Sequence, residues 1–366
     1  MDTASLTYQA VSDAAALTQD AVAPGTASGV RIEHLTVRFG ARTVLDDLSL
    51  TIERGELLTV LGRSGCGKTT LLRFIAGFLK ADALAGTLTV GGRDITHLAP
   101  HKRNLGLLFQ SYALFPHMTV FENVAFGLRA RQVASPEIQR RVTDALKLVQ
   151  LDDAGHIMPA QLSGGMQQRV ALARSLVVEP DVLLLDEPLS ALDANLRADV
   201  RSELKALHER LPHLTIVCVT HDHDDALVLS DRTLLMREGR IAQLGTPQQL
   251  YDAPCDAFVA RYLGAANLLP LPLVLPASDP RRHDPERLAC LRPEAFLIVP
   301  RDQGRLHGEI ADVQWHGATL SVSVVLDALP RQTVLVTRQR NQGDAPLKGA
   351  RISLDFEVDD VALIHP

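Results

Sequence analysis

Five continuous apolar runs punctuate the middle of the chain: 57–61 (LLTVL), 105–109 (LGLLF), 182–185 (VLLL), 215–220 (TIVCVT) and 233–236 (TLLM). Short runs without polar alternation suit strands covered on both faces, as in a parallel sheet. Between them, residues 68–78, 121–130, 136–150, 164–178 and 195–210 carry a helical pattern, and Pro159, Pro180 and Pro188 separate elements. Segments 31–39 and 43–53 instead alternate apolar and polar residues, which predicts strands buried on one face. Residues 86–90 (GTLTV) predict a third such strand before the turn at Gly91 and Gly92. An α/β domain over 30–264 follows. Residues 1–29 show no sustained period and read as a disordered tail.

Past residue 264 the pattern changes. A proline-rich stretch leads into short alternating segments at 308–315, 318–326, 332–338 and 351–358. That spacing predicts a small all-β barrel or sandwich over 265–366.

Composition narrows the classes of function. The length of 366 residues fits two or three domains. A net charge of −6 argues against a dedicated nucleic-acid binder, which needs a basic face. Cys66, Cys218, Cys255 and Cys290 lie too far apart to form a zinc or redox pair, and so few cysteines suit a reducing compartment. No apolar run approaches the roughly 18–20 residues of a membrane span. No Lys or Arg precedes Arg31, so the basic start of a signal peptide is missing. The expectation is a protein that stays where it is made and reaches a membrane only by docking on another protein.

The chemistry concentrates in three motifs. Gly62-Arg63-Ser64-Gly65-Cys66-Gly67-Lys68-Thr69 fits the P-loop pattern G-x-x-x-x-G-K-[ST], between a predicted strand and a predicted helix. Its glycines let backbone N–H groups wrap phosphate oxygens at a helix N-terminus. Lys68 reaches the β- and γ-phosphates, and the Thr69 hydroxyl ligates Mg²⁺. VLLLDE (182–187) ends a buried strand in two carboxylates, where open α/β sheets place their ligands. Asp186 is placed to hold Mg²⁺ through water, and Glu187 to act as general base. The third motif, LSGGMQQR (162–169), precedes a helix. Ser163 there reads either as a simple N-cap or as part of a second phosphate cradle.

In this order and spacing, the three motifs resemble the nucleotide-binding subunit of ABC transporters, over about residues 31–262. The resemblance implies an ABC ATPase core with an antiparallel β subdomain and a helical subdomain at about 111–178. It makes Gln110 the Q-loop residue that senses Mg²⁺ and the membrane partner, and Ser190 and Asp193 part of the D-loop. It makes His221 the switch histidine on the γ-phosphate, and Phe39 the ring that stacks on adenine. Thr70 joins residues 62–69 around ATP. The resemblance further implies a head-to-tail homodimer. In it, Ser163, Gly164, Gly165, Met166 and Gln167 of one copy close over the ATP on the P-loop of the other. Met166 stands where Gln is commoner, and Phe39 where Tyr is.

Two side features read differently. His221-Asp-His-Asp-Asp225 has the composition of a metal site, but contiguous residues on a helix fan apart; Asp222 reads as an N-cap. Cys66 sits by a helix N-terminus, which would lower its pKa, yet inside the loop it reads as a small residue against the backbone rather than a redox sensor. Trp315 and His316 could form a ligand patch, but read rather as a core tryptophan beside a turn residue.

The absence of a coiled-coil insertion and of a second cassette sets aside DNA-repair and ribosomal relatives, and the absence of fused spans sets aside exporters. A regulatory ABC protein with poor hydrolysis would be expected to lack Glu187 or His221. The remaining class is an importer ATPase. It would serve two integral-membrane permease subunits, and indirectly an extracytoplasmic solute-binding protein, at the cytoplasmic face of the bacterial inner membrane. LRPEAF (291–296) and GEIADVQWHGATLSV (308–322) resemble the accessory β domain of such ATPases. The whole chain is similar to the group serving polyamines, ferric iron, sulfate, sugars and phosphonates. PHLTIVCVTHDHDDAL, YDAPCDAFVARYLGAANLLP and CLRPEAF look most like 2-aminoethylphosphonate importers.

Overall fold

The five apolar runs become neighbouring strands. In the computed structural model, which describes residues 29–109, 112–190, 194–300, 303–341 and 347–366, they form one six-stranded sheet. Its spatial order is Arg240–Gly245, Arg232–Arg237, Leu57–Gly62, Thr215–Val219, Val182–Asp186 and Leu105–Leu108. Every neighbouring pair is parallel except the first, where Arg240–Gly245 is an antiparallel edge. The register sets Leu184 between Leu107 and Val217. Except for Gly29, the tail expected at 1–29 lies outside the described residues.

The pleat explains why these strands had to be apolar throughout. Successive side chains point to opposite faces. Leu57, Leu183, Leu185, Ile216 and Cys218 enter one core, with Val124, Val142, Val170 and Leu204 of the helices. Leu58, Val60, Val182, Leu184, Val217 and Val219 enter the other, beneath the helix Lys68–Ala76. That second core is closed by a four-stranded antiparallel sheet, in the order Arg42–Ile52, Val30–Phe39, Ala83–Val90 and Arg93–Asp94. The first is covered by the helices Val120–Ala130, Ser135–Leu148, Gly164–Leu176 and Ala194–Arg210. The mixed sheet, the antiparallel β unit and the helical unit agree with the expected α/β class.

After Gly264 the chain is mostly antiparallel β. A five-stranded sheet runs in the order Leu297–Val299, Arg351–Asp355, Leu306–His316, Thr319–Leu326 and Thr333–Gln339. Along Thr319–Leu326 every second residue is buried, so Leu320, Val322, Val324 and Leu326 face inward. A three-stranded sheet, Asn267–Leu269, Leu288–Leu291 and Ala362–Ile364, lies beside it. Trp315 corrects an expectation. It is 66% exposed, near the hairpin turn where it pairs with Leu320, and the Arg340 guanidinium lies 5.9 Å from its ring. The inward face there is filled by branched aliphatic residues, which leaves the indole outside.

Candidate nucleotide-binding site

The central strand Leu57–Gly62 is wholly buried and delivers the P-loop to the carboxyl edge of the sheet. Gly62, Gly65 and Gly67 have φ of 150°, 80° and 109°, which side-chain-bearing residues rarely adopt. A Cβ on Gly62 would fall 2.5 Å from Cys66 Sγ and 2.6 Å from the Met236 carbonyl, so the strand and loop approach too closely for any side chain. Gly67 is the N-cap of Lys68–Ala76 and offers no side-chain cap, which leaves that helix start open to an anion. Lys68 is buried, and its Nζ donates to the carbonyls of Gly62 (2.6 Å) and Arg63 (3.3 Å). The ammonium is thus folded onto its own loop, poised over the turn where phosphates would sit. Arg63, Ser64, Gly65 and Thr69 are exposed and Thr70 half-buried. A cavity of about 400 Å³ lies against residues 63–66 and reaches Thr43, Val44 and Phe258.

At Cys66 the lowered pKa expected of a helix N-terminus does not occur. The thiol is buried, and that burial raises its pKa above the ordinary value, outweighing the opposing pull of Lys68. Desolvation of the thiolate wins over the helix N-terminus. At the far end of the same helix, buried Arg103 donates to the carbonyls of Phe74 and Ile75, each at 2.8 Å. It satisfies the acceptors that a helix C-terminus leaves unpaired. Nothing in the sequence pattern marked Arg103, because a lone arginine reads as surface.

Two strands from the centre, Val182–Asp186 ends in the paired carboxylates. Asp186 lies opposite Val219, and Glu187 N–H donates to the Val219 carbonyl at 2.9 Å. This turn holds Glu187 at φ 48°, a left-handed conformation that costs a non-glycine residue of order 1–3 kcal/mol. It aims the carboxylate at His221, with Glu187 Oε1 3.3 Å from His221 Nδ1. Burial raises the Asp186 pKa, and Glu187 adds to the rise, while Arg73 and Lys68 oppose it. Ser190 N–H and Oγ both bond the Glu187 carbonyl, at 3.3 and 3.0 Å. The structure therefore gathers Lys68, Asp186, Glu187 and His221 at one edge of the sheet. Phe39 ends its strand 38% exposed, available for stacking. Gln110 and Asp193 lie outside the described residues.

Residues 222–225 serve the fold. Asp222 caps the helix His223–Leu229, accepting from Asp225 N–H at 3.1 Å. Arg197 holds Asp222 and Arg201 holds Asp225, both at 2.8 Å.

The second glycine motif stands apart. Ser163 caps Gly164–Leu176, its Oγ accepting from Met166 N–H at 3.3 Å. Ser163 and Gly164 are exposed, and no heavy atom lies within 4 Å of a Cβ built on Gly164. Gly165 is buried, and Met166 packs on the helical core. Gln167 turns back, its Nε2 donating to Pro159 and Leu162 carbonyls at 3.1 and 3.3 Å. Among the described residues, no hydrogen bond joins this motif to residues 62–70. The two glycine motifs thus stand apart on one chain.

Arg174 and Tyr112, which pattern alone did not reveal, tie the second glycine motif to the chain after Gln110. Arg174, on the motif's own helix, donates to the carbonyls of Tyr112 (2.9 Å) and Ala113 (2.8 Å). Both those residues have left-handed backbones, with φ of 56° and 46°. Tyr112 OH also donates to buried Gln168 at 3.4 Å. The segment following Gln110 is thereby tied to the helix that starts at Ser163.

Comparison with known proteins agrees with this geometry. The family described as ABC transporter matches residues 45–190, and the TOBE domain matches residues 289–364. A spermidine/putrescine import ATP-binding protein of Pasteurella multocida is 42% identical over 86% of this chain and 90% of its own length. An Fe(3+) ions import ATP-binding protein of Brucella abortus is 42% identical over 94% of this chain and 99% of its own. A second spermidine/putrescine protein, from Haemophilus ducreyi, is 43% identical over 86% of this chain and 90% of its own. With a P-loop, a strained carboxylate on a histidine and a capped glycine motif on one scaffold, and with such relatives along nearly its whole length, the chain belongs to the ATP-binding subunits of ABC importers, ATPases coupled to transport.

Proposed function

We propose that two copies of this chain form a homodimer in which ATP is held between the P-loop of one and Ser163, Gly164 and Gly165 of the other. The contact between Glu187 and His221 beside the P-loop carries the catalytic part of this reading. Glu187 takes a proton from the attacking water, and His221 orients that carboxylate toward the γ-phosphate. Lys68 exchanges its bonds to Gly62 and Arg63 for phosphate oxygens. The exposed start of the Gly164–Leu176 helix supports the trans contact, since it offers N–H groups with no partner from its own P-loop. In this reading Met166 and Gln167 support the cradle from beneath, because their side chains face the helical core and the preceding turn.

The half-buried Asp186 carboxylate beside Lys68 and Arg73 offers an oxygen acceptor to the water shell of Mg²⁺. Asp186, Thr69 and Gln110 would hold the ion next to the phosphates. When bound it neutralises phosphate charge.

Coupling to two permease subunits runs through the segment after Gln110. Phe109, Phe78 and Phe126 are each more than 40% exposed, and Phe109 and Phe78 lie with rings 6.4 Å apart. Exposed aromatics of this kind suit a docking surface, and Arg174 would pass its movement to the Ser163 helix. No helix among the described residues is long and apolar enough to cross a membrane. Peripheral placement at the cytoplasmic face of the bacterial inner membrane follows from the permease contact, with a solute-binding protein engaged only indirectly.

For the solute, the three stretches quoted above favour 2-aminoethylphosphonate. The names of the relatives favour a polyamine or ferric iron. Growth of the source bacterium on 2-aminoethylphosphonate as sole phosphorus source separates them. Intact protein is compared with Glu187→Gln. Loss confined to that phosphorus source supports the phosphonate. Unchanged growth removes it and leaves the polyamine and ferric-iron reading for uptake assays.

A further inference from the structure

The helix Ala257–Tyr262 lies between the P-loop and the C-terminal domain and bonds to both. On one side, Val259, Phe258 and Tyr262 join a cluster with Leu61, Leu235 and Leu250. Leu61 is the residue just before the P-loop. The Tyr262 hydroxyl accepts a hydrogen bond from Gly62 N–H at 3.1 Å, across 200 residues of sequence. The Phe258 ring lies 5.8 Å from the Arg63 guanidinium, and His223 packs on Tyr262 with rings 4.7 Å apart. The helix thus touches the first two residues of the loop.

On its other side, Ala260 packs with Leu268, Cys290 and Ile364 of the C-terminal three-stranded sheet. Ala257 N–H donates to the His365 carbonyl at 2.9 Å, so the end of the chain returns to the start of this helix. Arg292 makes the main tie. It is buried, and it faces carbonyls where a carboxylate would be usual. Its Nε and Nη2 donate to Tyr251 O at 3.0 and 2.7 Å, and its Nη1 to Ala260 O at 2.8 Å and Ala265 O at 3.2 Å. Tyr251 and Ala260 lie near the C-termini of the helices Pro247–Asp252 and Ala257–Tyr262. Two negative helix ends therefore converge on one guanidinium. Its plane stacks on Tyr251 at 3.9 Å, and Tyr251 OH donates to Glu294 at 2.7 Å. Arg292 and Glu294 both belong to LRPEAF, at the head of the C-terminal domain.

We propose that Tyr262 is a positioning residue for the P-loop, and that the C-terminal domain sets its place through Arg292. The hydroxyl fixes the N–H of the glycine whose carbonyl holds Lys68, so it governs how readily the loop opens to phosphate. A domain held by Arg292 to the same helix can then bias ATP binding without touching ATP.

The test is MgATP binding by calorimetry on the full chain, with basal turnover at saturating ATP. Wild type, Tyr262→Phe, Arg292→Lys and the double variant are compared. Lysine keeps the charge but loses the planar fork that reaches several carbonyls. Tyr262→Phe is expected to weaken binding by about three- to tenfold, the effect of leaving one partly buried donor unpaired. Turnover at saturation should stay within about twofold, because Tyr262 does not touch the reacting atoms. Arg292→Lys should weaken binding in the same direction, and the double variant should be no worse than the poorer single one, as for residues acting along one path. Unchanged binding in Tyr262→Phe, or losses that multiply in the double variant, would overturn the proposal. Should Arg292→Lys not purify folded, Arg292→Gln, which keeps an amide donor for one carbonyl and loses the fork, takes its place, with the same expected and overturning results. The proposal rests on the ATP-binding reading. Failure of the wild type to bind MgATP would sink that reading, whereas equal binding by wild type and Tyr262→Phe would sink this proposal alone.

Discussion

Gly62→Ala and Gly65→Ala make a matched pair, because both positions have positive φ but only one is crowded. At Gly65, with φ 80°, no heavy atom lies within 4 Å of the added Cβ, so alanine there meets only backbone strain. That is worth about 1–3 kcal/mol. At Gly62, with φ 150°, the methyl lands 2.6 Å from the Met236 carbonyl and 2.5 Å from Cys66 Sγ. The cysteine can turn, but the carbonyl belongs to a neighbouring strand of the buried sheet. Overpacking adds about 1–3 kcal/mol, for a total of about 2–6 kcal/mol. If the loop relieves the clash by leaving its phosphate-binding shape, and restoring that shape costs the smaller figure, MgATP binding weakens by roughly 30-fold at 1.4 kcal/mol per tenfold. The assay is calorimetric titration of MgATP at one temperature, with thermal unfolding run beside it. Gly62→Ala should lose both affinity and melting temperature, and Gly65→Ala markedly less of each. Equal behaviour of the two variants would refute the reasoning, since it would mean that the close approach of strand and loop does not shape the site.

Other expected outcomes follow from the same geometry. Ser163→Arg should leave ATP binding by the monomer within about twofold and cut hydrolysis by roughly 10³-fold, the scale of charge stabilisation supplied in trans; loss of monomer binding would place Ser163 in cis. Burial raises the Cys66 thiol above its ordinary value. A raised thiol pKa keeps the unreactive protonated form at pH 8, so iodoacetamide labelling should be slow there and accelerate toward pH 11. Rapid labelling of Cys66 at pH 8 would contradict its burial. Trp315 is the single tryptophan of the chain, and its indole is exposed. Its fluorescence should be fully quenched by iodide in the folded protein, whereas a protected emission would return it to a core.

Much of this fold is legible in the pattern of residues, and the exceptions share a cause. Leu57, Leu183 and Ile216 could be placed because strands covered on both faces must be apolar at every position. Residues 319–326 could be placed because one buried face enforces strict alternation. The helices Pro247–Asp252 and Ala257–Tyr262 escape notice, because six residues are less than two turns and show no period. The edge strand Arg240–Gly245 is only partly buried at most positions, so its composition carries no alternation. At the site, Lys68, Asp186, Glu187 and His221 are visible as motifs. The groups that hold them are not. Arg103, Arg174 and Arg292 work by donating to main-chain carbonyls, and a carbonyl has no signature in sequence. Where two physical tendencies compete, composition does not say which prevails. Burial overrides the helix N-terminus at Cys66, and a full aliphatic core excludes Trp315.

The most direct test of the central claim is phosphate release from MgATP by the purified chain and by Glu187→Gln. The substitution keeps the size of the side chain and its approach to His221, 3.3 Å away, and removes only its ability to accept a proton. A positioned base contributes about 10²–10⁴-fold. The account predicts turnover by the wild type, at least a 100-fold lower rate in the variant, and accumulation of the variant as an ATP-bound dimer. A variant that hydrolyses ATP within tenfold of the wild type would contradict it.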